Sequence, residues 1–219
     1  MLQLDENLDL FDYSLPSDPA LNEMIEGACR SAKAVKTTCR TEARRAKSEG
    51  VLAEILPDEI GQGEAWHIIS AGDVDALSFL AHLLKSSGPM DYVAFSTCCM
   101  AVDDVDRFAD WLGAGAILRL DAYVGEIFPV SYAKEYAALC DTVRRCGGRV
   151  AVFRNHSKTF LCRAGGRAWV IESSANINTN PRSENTVITA DMGLFQHHKA
   201  WFDAIHSFDR NFDDWRPAA

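Results

Sequence analysis

The sequence predicts an α/β domain: a mixed, mostly parallel central β-sheet flanked by helices, carrying an N-terminal helical extension. Three observations lead there. Between residues 66 and 153, short β-branched or apolar runs alternate with longer amphipathic stretches, the rhythm of βαβ units. After residue 153 the strands crowd together around Gly165–Gly166, a hairpin signal. Before residue 60 no strand pattern occurs, and cations cluster instead.

Taken in order, Ser17-Asp18-Pro19 reads as a helix start, a cap residue followed by proline in the first turn. Leu21, Met24, Ile25, Ala28, Ala32, Val35 and Cys39 recur at helical spacing, so one helix is expected from about 19 to 48, ending before Gly50. Its thin apolar stripe suits packing on a partner or against the main domain. WHIIS at 66–70 is a strand, and 73–88 an amphipathic helix closed by Gly88. YVAFSTCCM is a buried strand, 103–115 a capped helix and AILRLDAYV a strand. Residues 131–148 form a helix, VAVFR a strand, TFLCRAGGRAWVIES a hairpin, TVITA a strand and 193–209 a closing helix. The expected organisation is therefore an acidic segment plus basic helix over 1–60, a catalytic-type domain over 61–210 and an irregular tail over 211–219.

The chain's net charge of −9 argues against nucleic acid, but the charge is uneven. Residues 1–27 hold seven acids and no Lys or Arg. Residues 28–49 hold seven cations (Arg30, Lys33, Lys36, Arg40, Arg44, Arg45, Lys47) against Glu42 and Glu49, a local +5. Binding responds to local field, so Arg40, Arg44, Arg45 and Lys47 are candidate nucleic-acid contacts; the alternative is a solvated helix face. No apolar run approaches the ~20 residues of a membrane span. The acidic N-terminus lacks the basic region of a secretory signal. Seven cysteines without regular spacing read as reduced thiols, mostly core fillers, of a cytoplasmic protein. No metal and no cofactor are expected, since neither a CxxC pair nor a clustered acidic triad occurs.

Chemistry concentrates in residues 150–189. His156 and Lys158 stand two apart, Ser174 and Asn176 stand two apart, and Glu184 follows. On a strand, residues i and i+2 share a face, so each pair is expected to point one way. Two neighbouring strands would then bring together an imidazole, an ammonium, a hydroxyl and a carboxamide. A neutral imidazole is a competent nucleophile near neutral pH, and a lysine is a point counter-charge for phosphate. Each residue also has a plain reading: surface histidine, solvated lysine, turn-forming asparagine (Asn178 and Asn180 included), surface acid. Trp169 reads as core, and His197, His198 and His206 as surface or packing residues.

With HxK entering a hairpin, SxN leaving it and Ser183-Glu184-Asn185 before the next strand, the chain resembles the phospholipase D-like phosphodiesterase superfamily. The likeness is to its short bacterial nuclease branch, with one HxK motif per chain. It covers about 150–205, extends in strand order from about 64, and omits 1–60. The resemblance implies His156 as the nucleophile that becomes a phosphohistidine. Lys158 and Asn176 would hold the non-bridging oxygens, Ser174 would support them, and Glu184 would take the His156 Nδ1–H. Apart from the resemblance, Arg182 is a candidate contact to a substrate phosphate, its plain reading being a solvated loop arginine. The resemblance also implies a metal-independent phosphodiesterase acting on DNA or RNA, and a homodimer that pairs two motifs in one cleft. One departure stands out: the family motif continues to an acid, and here no Asp or Glu lies between Lys158 and Glu172. Two other classes stay open, a degenerate domain that binds nucleic acid or a protein, and an assembly protein using the long helix.

Overall fold

Seven strands form one sheet in the order β1–β7–β6–β5–β2–β3–β4 in the computed structural model, which describes residues 37–177 and 182–208. The strands are β1 Ala65–Ser70, β2 Tyr92–Thr97, β3 Leu120–Gly125, β4 Val150–Phe153, β5 Thr159–Ala164, β6 Arg167–Ser173 and β7 Glu184–Thr189. The helices are α1 Thr37–Ile55, α2 Ala76–Ser87, α3 Val102–Gly113, α4 Phe128–Ser131, α5 Ala133–Arg145 and α6 Met192–Asp203. Parallel pairing is confined to β2–β3 and β3–β4, whose crossovers carry α3 and the α4–α5 pair. The other four pairings are antiparallel. The parallel share is thus smaller than the strand–helix alternation suggests, because the hairpin β5–β6 inserts beside β2.

Side-chain alternation builds a core on each face. Val93 and Phe95 of β2 point into one layer with Leu80, Phe108, Leu139 and Val143 of α2, α3 and α5. Tyr92 and Ala94 point the other way, onto Phe195 and Phe202 of α6. Strands β2 and β3 are buried at every position, the mark of a sheet centre covered on both sides. Trp169 is buried as expected, and its indole N–H donates to Ile60 O at 3.1 Å.

Two glycine positions answer to geometry. Gly165 and Gly166 have φ of 52° and 82°, the doubly left-handed pair that a two-residue hairpin turn requires. A Cβ on Gly148 would sit 1.8 Å from Leu120 O, so only glycine lets the chain enter β4 there. Beyond α6, Phe208 N–H donates to Val152 O at 2.7 Å and covers part of the β4 edge.

The basic helix differs from expectation at its C-terminal end. Residues 19–36 lie outside the described residues, but α1 runs through Gly50 to Ile55 instead of stopping before it. Leu52 of the added turns, with Leu56 and Ile60 beyond, is buried in the main core, and that burial outweighs the ~1 kcal/mol a helical glycine costs. By compactness the chain divides into Met1–Arg40 and Thr41–Ala219, so residues 41–60 belong with the sheet. The irregular tail expected over 211–219 lies outside the described residues. No described helix is long and apolar enough to cross a membrane.

Candidate functional site

The sheet's directions gather the chemical residues at one end. Strands β1, β6, β2, β3 and β4 run the same way, and β5 and β7 run against them. The C-terminal ends of the former and the N-terminal ends of the latter therefore share one edge. His156 and Lys158 lie between β4 and β5, Ser174 and Asn176 just after β6, and Glu184 opens β7. The pairs are not strand residues, as the i, i+2 argument assumed; both stand in short irregular segments where strands end. Crevices outside the carboxyl ends of strands are where open α/β sheets hold ligands.

The 155–158 turn is built on a buried carboxamide. Asn155 Nδ2 lies 2.9 Å from Ser96 Oγ, 3.2 Å from Thr97 O and 3.1 Å from Tyr123 O. Its Oδ1 accepts from Ser157 N at 2.9 Å and Ser157 Oγ at 2.8 Å. Anchored this way, the turn presents His156 and Lys158 outward. Lys158 Nζ lies 3.1 Å from His156 Nδ1 and 2.6 Å from His156 O.

The second pair is tied to the same place from the other side. Ser173 N donates to Lys158 O at 2.9 Å, and Ile177 N donates to Thr97 Oγ1 at 3.3 Å. Between them Asn176 Oδ1 accepts from Cys98 N at 3.4 Å. Ser174 Oγ donates to Glu184 and accepts from Asn185 N at 3.0 Å. Here the geometry departs from the expected roles. The carboxylate assigned to His156 Nδ1 takes the Ser174 hydroxyl, and the group within reach of Nδ1 is the Lys158 ammonium. The reason is positional: Glu184 leads β7, two strands beyond β5, next to the Ser174 turn.

Charge at the site is carried by Lys158. Burial lowers its pKa, against the opposing pull of Cys98, Cys99 and Glu184. Burial pushes the Cys99 thiol up, while Tyr132 and Lys158 favour its ionised form. Gly125 keeps this corner open, since a Cβ there would stand 3.3 Å from Asn155 O and 3.4 Å from Cys98 Sγ. Asn155, Cys98, Gly125 and Tyr132 carry no motif of their own. Asn155, Cys98 and Gly125 are signalled in the sequence by position alone, at the ends of apolar strands, and Tyr132 by none, since it stands between α4 and α5.

No family model matches the chain, and no curated protein does. It is similar to a solved structure, the crystal structure of polyphosphate kinase from Porphyromonas gingivalis, at 16% identity with a TM-score of 0.48. That match covers 71% of this chain and 27% of that one. The site's own geometry carries the functional reading.

The candidate nucleic-acid residues are dispersed. Arg40 stands in the first turns of α1, where side chains are outside the described residues. Arg44 Nη2 lies 3.8 Å from Asp75 Oδ2. Arg45 is mostly buried, 2.6 Å from Asp104 Oδ1 and 4.0 Å from Asp75 Oδ2, so it holds α1 to the N-termini of α2 and α3. A guanidinium engaged in that way is not presented to a phosphate backbone. Lys47 and Arg182 are exposed. Asn178 and Asn180 lie outside the described residues.

Proposed function

We propose that this chain is a phospholipase D-like phosphodiesterase, a nuclease that works without a metal through a phosphohistidine. The observation that supports it is the convergence of His156, Lys158, Ser174, Asn176 and Glu184 on one end of the sheet from three separate segments. Lys158 is the counter-charge for the non-bridging oxygens, and Asn176 and Ser174 line the same corner. An incoming phosphate draws Nζ away from Nδ1, so the imidazole is freed as the substrate binds. His156 then attacks phosphorus, the ester oxygen leaves with a proton, and water hydrolyses the phosphohistidine to restore the ring. The proton requires a second acid, and a twofold mate would supply its own His156. Nucleic acid is the substrate class we favour, since exposed Lys47 and Arg182 suit a polyanion.

The test is incubation with labelled single- and double-stranded DNA and RNA in EDTA, with His156→Ala alongside. Cleavage by wild type that the variant lacks supports the reading; cleavage equal in both, or only with added metal, refutes it. A fully active monomer by light scattering would remove the shared cleft.

A second reading, a catalytically silent binder, is favoured by one contact. An ammonium donating to Nδ1 leaves the ring proton on Nε2, the unreactive tautomer. Binding of DNA without cleavage would select it.

A further inference from the structure

We propose that Asn155 is the positioning residue of this site, holding His156 and Lys158 in register through the turn 155–158. The inference rests on the reading above for what the two side chains do, but its geometry stands apart from it. Asn155 is 6% exposed, and its carboxamide uses both ends. The amide end reaches the terminal residues of β2 and the Tyr123 carbonyl of β3, two parallel neighbours whose residues are all buried. The carbonyl end takes both the N–H and the hydroxyl of Ser157, the residue between histidine and lysine. A second hydroxyl joins in: Ser96 Oγ and Ser157 Oγ are 2.5 Å apart.

The turn thus has a rigid reference. Residues 154–158 belong to no strand, and without Asn155 the described bonds left to tie them down are Ser96 Oγ to Ser157, Ser173 N to Lys158 O and the start of β5. The carboxamide suits this task chemically. Two strand-end acceptors need donors, and two Ser157 donors need an acceptor; Asn offers both from one planar group. Aspartate would meet Thr97 O and Tyr123 O with lone pairs, and alanine would leave them unpaired. Loose support of a reacting group by as little as 1 Å costs about 10²-fold in rate.

The test reads the two motif side chains directly, by nitrogen NMR of His and Lys in wild type, Asn155→Ala and Asn155→Asp. Signals are assigned with His156→Ala and Lys158→Ala. In wild type the His156 ring shows Nδ1 as a hydrogen-bond acceptor, and Lys158 titrates below ordinary lysine. In both Asn155 variants these two signals move to those of unrestrained side chains, and turnover of a small phosphodiester falls about 10²-fold in kcat with less change in KM. A lowered melting temperature with both signals unmoved overturns the proposal and leaves Asn155 a structural residue. Should the Asn155 variants not fold, Ser157→Ala, which removes one of the two bonds to Oδ1, must shift the same signals in the same direction; unmoved signals there overturn it too. Failure of the phosphodiesterase reading shows separately, as wild-type turnover equal to His156→Ala while the Asn155 shifts are still measured.

Discussion

Lys158 Nζ stands 3.1 Å from His156 Nδ1, so the ammonium of the HxK pair caps the imidazole of the same pair. A protonated lysine has no lone pair to offer, and Nδ1 is therefore the acceptor. Lysine and histidine act as one unit: removing either leaves the other in a different state.

That coupling gives the first prediction. His156→Ala should lower phosphodiesterase turnover by about 10³-fold or more, and Lys158→Ala by about 10²–10³-fold. The double variant should lose little beyond His156→Ala alone, because the pair acts as one. Single-turnover rates on a labelled oligonucleotide in EDTA measure all three.

Glu184 gives the second. It accepts from Ser174 and sustains the Lys158 charge, without touching the imidazole. Glu184→Gln should lose about 1–2 kcal/mol of that interaction, roughly tenfold in rate. Ser174→Ala combined with Glu184→Gln should add little. Independent, fully additive losses in a double-mutant cycle would contradict this coupling.

The third concerns α1, whose cations play unequal parts. Arg45→Gln leaves Asp104 without its buried counter-charge, removes one of the two guanidiniums beside Asp75, and should cost about 3 kcal/mol of stability. Lys47→Gln should leave stability unchanged. If Lys47 meets one phosphate, its loss should reduce the slope of log affinity against log salt for duplex DNA by about 0.9. Urea unfolding and filter binding across a salt series separate the two effects.

The fourth is a pH dependence. Burial is the main cause that pushes the Asp104 carboxyl up to about 6, above its ordinary 3.8. The folded protein then binds the proton more tightly than the unfolded chain does. Its contribution to stability is fully present below 3.8 and is lost as pH rises through about 6. Asp104→Asn keeps an acceptor for Ala101 N and removes the proton. Denaturant midpoints taken between those two pH values should slope downward with pH in wild type and lie flatter in the variant.

Strand and helix positions were legible because burial writes a period into the chain. The doubly apolar runs of β2 and β3, the Gly165–Gly166 turn and the Trp169 core position all followed from local pattern. So did the sequence neighbours of the site: HxK, SxN and Glu184 can be picked out because each pair is contiguous. Their mutual contacts could not. Whether Glu184 meets His156 or Ser174 depends on which strands are neighbours, and order β7–β6–β5 puts Glu184 beside the Ser174 turn. Asn155 was silent for the same reason, since its partners Ser96, Thr97 and Tyr123 lie 32 to 59 residues away. The end of α1 was misread at Gly50 because helix propensity is a local quantity, whereas Leu52 and Leu56 are held by a core assembled from the whole domain. Arg45 likewise looks in sequence like any surface cation; only the packing of two helix N-termini on the middle of α1 makes it a buried partner for Asp104. Local chemistry decides which groups a strand end carries, and long-range pairing decides which of them touch.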